Sequence, residues 1–202
     1  MKPVFAKGKS ETCDTNGSID QGATEIPVAS AEQHFSEGDL IFLSDADLSD
    51  VECPGFAVAV SNTSITVPFG VKTARETEAK VWKPTNFFQW EIGRSSPLKR
   101  AYDSGTEILT TTGGVVYSTK IADARTIERL VFDKLTESCF SDYESWFKDT
   151  TGDGLDSFTY VDEARDVFTV RITNPDINRV ETYPELVSLE INLAIEENAV
   201  YE

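Results

Sequence analysis

One stretch of the chain carries oxygen ligands at the spacing of a calcium loop: Asp149-Thr150-Thr151-Gly152-Asp153-Gly154-Leu155-Asp156. Asp149, Thr151 and Asp153 stand at positions one, three and five, with Gly154 at six, where such a loop turns sharply. The twelfth position is Tyr160, where a bidentate glutamate is required, and Asp156 and Asp162 would compensate only in a different geometry. The simpler reading is a helix-to-strand turn that uses its glycines for positive φ. No metal ligand is therefore assigned.

The single histidine, His34, lies between Gln33 and Phe35 without a Ser-His or Cys-His pattern beside it. A catalytic dyad needs a partner delivered by the fold, so His34 is given no catalytic role. Carboxylates are too abundant for any one pair to imply acid–base work. The phosphate-loop, dinucleotide, nucleophile-elbow and zinc-protease signatures do not occur, so no catalytic residue and no cofactor are expected. Arg94, Lys99 and Arg100 form the densest basic cluster, readable as a solvated loop or as a contact for an acidic neighbour. Trp82 and Phe69 are the residues a carbohydrate would stack on, or else core aromatics.

Composition limits the partners. The net charge is −17 over 202 residues, with a pI near 4.4. Tight nucleic-acid binding relies on Lys and Arg neutralising phosphates, and anionic membranes attract basic segments, so neither partner is expected. Cys13, Cys53 and Cys139 make no CxxC pair and cannot all be bridged with one another, as in a protein kept reduced in a cytoplasm. The apolar run after Lys2 ends at Lys7, unlike a signal peptide, and runs such as Leu40 to Leu43 are far too short to span a bilayer.

The elements that would position these residues are mostly strands. Residues 1–20 are polar and without period, and read as an arm. Over residues 21–85, Ile26–Val28, Leu40–Leu43, Phe56–Val60, Ile65–Val67 and Lys80–Trp82 alternate with turn residues, including a stretch from Asp50 to Gly55, and predict a small all-β module. Residues 86–202 predict a β-sandwich or split barrel with one packed helix. Phe87, Phe88 and Trp90 open it, and Gly93 to Pro97 breaks that strand. Glu107–Thr111 and Val115–Lys120 flank the hairpin signal Thr112-Gly113-Gly114. Thr126–Lys134 is a strand with Leu130 and Phe132 on one face, and Ile127, Val131 and Leu135 on the other. Phe140, Tyr143, Trp146 and Phe147 recur at helical spacing over about 138–148, closed by Gly152 and Gly154. Ser157–Val161 and Val167–Thr173 follow around a charged turn, Asp162 to Asp166. Asn174 to Pro184 reads as a loop. In the last strand Val187, Leu189, Ile191, Leu193 and Ile195 alternate with mostly polar residues, which sends all five to one face.

The order of these parts over residues 86–202 resembles the distal tail protein family of long-tailed bacteriophages, a group that takes in the short minor tail proteins of lambda-like phages. The resemblance rests on Phe87-Phe88-Gln89-Trp90, then Thr112-Gly113-Gly114, then Glu128 to Phe132. The helix with Tyr143, Trp146 and Phe147 ending at Gly152-Asp153-Gly154 comes next, followed by Ser157 to Tyr160, Phe168 to Ile172 and Val187 to Ile195. It implies a non-enzymatic virion protein, made in the host cytoplasm and assembled as a ring, commonly a hexamer. Its expected partners are the tail tube, the tail hub and the tape measure protein. The alternatives are a tail tube or tail completion protein, or a carbohydrate-binding virion module. The amino-terminal β-module departs from the family, whose extra domain usually follows this one.

Overall fold

A computed structural model of the chain describes residues 1–95, 99–103, 106–110, 116–120, 125–152, 156–173, 178–183 and 186–196; over 99–103, 106–110, 116–120, 125 and 178–183 the backbone alone is described. In chain order the elements are β1 (Val4–Lys7), β2 (Cys13–Asp14), β3 (Glu25–Pro27), α1 (Ala31–His34), β4 (Leu40–Ser44), β5 (Glu52–Phe56) and β6 (Ala59–Val60). Next come β7 (Ser64–Thr66), β8 (Lys80–Trp82), β9 (Asn86–Gln89), β10 (Lys99–Asp103), β11 (Thr106–Thr110), β12 (Val116–Lys120) and β13 (Arg125–Thr136). The rest are α2 (Glu137–Thr151), β14 (Phe158–Val161), β15 (Val167–Ile172), β16 (Asn178–Tyr183) and β17 (Leu186–Ile195). The fold is mainly β, antiparallel, with one substantial helix. Two compact units share the chain: residues 1–90 with 158–168, and residues 91–157 with 169–199.

In the first unit, β1 lies between β9 and β14, with Phe5 opposite both Phe88 and Tyr160. The expected arm over residues 1–20 is therefore structured at its start. Val4-Phe5-Ala6 is too short to display a period, and all three residues are buried because both faces of β1 are covered. Val4 and Ala6 pack with Leu40, Phe42, Cys53, Trp82 and Val161. Phe5 sits among the rings of Trp90, Phe158 and Tyr160 at 5.0–5.7 Å. A strand covered on both faces reads as a short apolar run and not as alternation.

Because Lys7 pairs with Asn86 and Val4 with Gln89, β1 and β9 form a hairpin whose connection is the whole segment 8–85. The β-module thus lies inside a strand pair, where the sequence pattern had placed it ahead of a domain beginning at residue 86. Gly8, at φ 72, makes the exit from β1, and a Cβ there would collide with the Thr85 hydroxyl oxygen. Within the module, β2-β8-β4-β5 form one sheet and β3-β7-β6 another. Strand β5 occupies residues expected to form a turn. It tolerates Pro54 because it is the last strand in its sheet, where a missing N–H breaks no ladder. The expected strand Phe56–Val60 is interrupted instead: Ala57 donates to Asp39 O and accepts from Gly38 N–H.

The second unit is built on β17, which pairs with β13 along one edge. The other edge is shared by β15 at its carboxy-terminal end and β16 at its amino-terminal end. Val187, Leu189, Ile191 and Leu193 are buried, as the alternation requires, whereas the fifth expected residue, Ile195, is only half-buried. A bulge between Phe132 and Leu135, with Lys134 at φ 63, returns Leu135 to the face of Leu130 and Phe132, correcting the expected assignment. Helix α2 packs on β13 and β17 and buries Cys139, Phe140, Tyr143, Trp146 and Phe147. Its cap is Thr136, whose hydroxyl accepts from Cys139 N–H and donates to Glu91, which also takes the Thr136 N–H. Gly152 in the left-handed region at φ 58 closes it. Strands β11 and β12 pair antiparallel, while the hairpin signal Thr112-Gly113-Gly114 between them lies outside the described residues. Strand β16 falls within the segment expected to be a loop, because the prolines on either side of it hid its pairing with β17 over Asn178–Glu181 and at Tyr183.

Candidate functional site

The most concentrated polar chemistry among the described residues lies in the first unit, around Arg75. Its side chain is fully buried. Nη1 meets Asp45 Oδ1 at 2.6 Å and Asp50 Oδ2 at 2.9 Å. Nη2 donates to the Asp50 carbonyl at 2.6 Å and to Glu52 Oε1 at 3.1 Å. The backbone of Arg75 exchanges both hydrogen bonds with Ile19, and Glu52 also accepts from Lys72 N–H at 2.6 Å. Arg75 therefore joins the 45–52 segment, through its guanidinium, to Ile19, through its backbone, and Glu52 returns the link to Lys72. Burial opposes its charge, yet the hydrogen bonds to Asp45 and Glu52 prevail and hold its pKa above the ordinary value.

The Asp45–Glu52 segment so anchored also walls a shallow cleft of about 260 Å³ lined by Thr12, Asp14, Ala46, Asp47, Leu48 and Lys80. Across its floor Lys80 Nζ pairs with Asp14 at 2.6 Å, the two residues standing opposite each other on β8 and β2. Asp47 accepts from both the hydroxyl and the N–H of Ser49, which holds its carboxyl below the usual carboxylate range. The arrangement fixes a polar surface in place. It brings no nucleophile against a base.

Of the residues singled out from sequence, His34 sits on the four-residue α1 with Nδ1 3.9 Å from Glu11 Oε2. In the calcium-like loop, residues 153–155 lie outside the described residues. Thr151, its third position, is buried with its hydroxyl donated back to Phe147 O at 2.7 Å, the posture of a helix end. Among the described residues no group of three or more His, Cys, Asp or Glu is placed to hold a metal ion. Arg94 is not a solvated loop residue: it lies 3.5 Å from Glu128, which is buried on the β13 face opposite Leu193. The side chains of Lys99 and Arg100 lie outside the described residues. Trp82 is buried and stacks on Phe42 at 5.8 Å, so it offers no platform to a sugar. Phe69 is 37% exposed and carries the Arg165 guanidinium over its ring at 5.0 Å.

Sequence reasoning missed Arg75 and its acceptors. The only signal was four acids within eight residues, Asp45, Asp47, Asp50 and Glu52, of which the last two lie in the stretch from Asp50 to Gly55 that read as a turn. Among the described residues no helix is long and apolar enough to cross a membrane. Compared with known protein families and with curated proteins, the chain matches no family model and no curated protein.

Proposed function

We propose that the chain is a structural subunit of the tail tip of a long-tailed bacteriophage, forming a ring, commonly of six copies, that joins the tail tube to the tail hub. The observation that supports this reading is the order of elements from β9 to β17. The aromatic strand β9 is followed, after β10, by the β11–β12 pair, a long strand capped into a helix that ends at Gly152, the three strands β14, β15 and β16, and a ten-residue final strand. Leaving aside β10 and β16, that order is the one on which the likeness to distal tail proteins rests. Placing the module between β1 and β9 also eases the departure from the family, since the host strands then run from β1 directly to β9.

The charge of −17 suits a ring around a passing genome, because a negative inner wall repels phosphates. The same charge opposes association of free subunits, so the ring forms on the tube or hub as template. The tape measure protein is a further expected contact, and the protein carries no catalytic activity in this role. Imaging of intact particles tests the reading. Density for this chain in a single ring between tube and hub is the expected result. A stack along the whole tail would make it a tube protein, and density only at outer fibres would overturn the assignment.

A further inference from the structure

We infer that residues 8–85 are a guest domain, folded about a core of its own and docked as a preformed body onto the β1–β9–β14 strands. Three observations carry this. First, the insertion point is closed on both sides. Lys7 pairs with Asn86 in the hairpin, Thr85 Oγ1 donates to Lys7 O at 3.0 Å, and Ser10 and Lys83 join the two ends of the module through bonds of 2.9 and 3.1 Å. The chain thus enters and leaves at one place, so the module needs nothing from the rest of the chain to bring its ends together.

Second, the module's main core is self-contained. Ile19, Ile26, Val28, Phe35, Ile41, Leu43, Ile65, Val67, Val71 and Val81 pack together, and every member of that cluster comes from within residues 8–85. Arg75 and its acceptors lie within the same limits.

Third, the opposite face of the β4–β8 sheet supplies a separate, mixed cluster. Leu40, Phe42, Cys53 and Trp82 of the module meet Val4, Ala6 and Val161 of the host strands. Alternation on β4 divides the two roles, with Ile41 and Leu43 facing inward and Leu40 and Phe42 facing the dock. The turn before β15 adds a polar clasp: Arg165 donates to Gly70 O at 3.0 Å while covering Phe69, and Asp166 accepts from Lys72 Nζ at 2.6 Å. The guest thereby adds a second surface to the host without entering its strand ladder. This inference does not depend on the tail-tip reading.

Cys53 reports the dock directly, because it is buried in the mixed cluster and its thiol is pushed up to about 12 by burial. The experiment uses the full chain. Ala6→Glu places a charge on the host side of the dock and leaves the guest unaltered. Maleimide labelling of Cys53, located by mass spectrometry, is expected to accelerate roughly tenfold or more. Amide exchange at Ile41, Leu43, Ile65 and Val81 should stay within roughly threefold of the parent. Loss of that protection would overturn the inference, since the guest would then depend on the host for its core. Unchanged labelling of Cys53 would overturn it too. Val4→Ala, which leaves a small gap in place of a charge, repeats the test where Ala6→Glu unfolds the whole chain, with the same outcomes in smaller measure.

Discussion

The inserted module and the helix-bearing unit solve the same problem with different materials. The module has seven strands of two to five residues, none long enough to present more than three side chains to one face. It makes up the difference with a buried arginine whose side chain pins the 45–52 segment while its backbone pairs with Ile19. The second unit has β13 and β17, of twelve and ten residues, and covers their apolar face with an aromatic helix. Short strands leave many chain reversals whose polar groups must be satisfied inside. Long strands leave fewer, so apolar packing carries most of the second unit, with Arg94 set against the buried Glu128 on the β13 face.

If that contrast holds, the largest single loss belongs to the helix. Trp146→Ala is expected to cost about 3–5 kcal/mol, the range for an aromatic removed from a core, measured by denaturant unfolding. A loss under about 1 kcal/mol would place the aromatic stripe outside the core and end the comparison. Next comes Arg75→Met, expected at about 3 kcal/mol. The half-exposed Asp45 and Asp50 keep their solvent, but Glu52, 6% exposed, is left as an unpaired buried charge. Adding Glu52→Gln to Arg75→Met should recover part of that loss; no recovery would show that the arginine acts through packing alone.

A pH effect sharpens the picture at the guest's dock. The Cys53 thiol is raised from 9.0 to about 12, so its contribution is fully present below pH 9 and is lost as pH climbs from 9 toward 12. Between those limits the unfolded chain ionises while the folded one does not, which removes about 1.4 kcal/mol per pH unit. Melts at pH 8 and pH 10 should therefore converge in Cys53→Ala relative to the parent. The smallest expected effect is Thr136→Ala, about 1 kcal/mol for a lost helix cap. Because Glu91 also binds Thr136, Glu91→Ala should weaken the same helix start, and additive losses in the double variant would contradict the shared geometry.

What the sequence determined by itself is the type and apolar face of the second unit's strongly periodic elements, though not β10 or β16. Period-two alternation over Val187 to Ile195 and helical spacing of Tyr143, Trp146 and Phe147 are one-dimensional signals, and each element carries its own face with it. Gly152 likewise marked the helix end, because only a residue free to take positive φ closes it so. Tertiary structure alone decided the rest. Val4-Phe5-Ala6 became a central strand only because β9 and β14, 80 and more residues away, pair with it. Leu135 changed face through a bulge that no period announces. Arg75 found its acceptors across folded loops, and Arg94 met Glu128 on the buried face of β13. Local pattern fixes which face of an element is apolar. Which distant segment covers that face, and which charge must follow it inside, is settled only when the chain closes on itself.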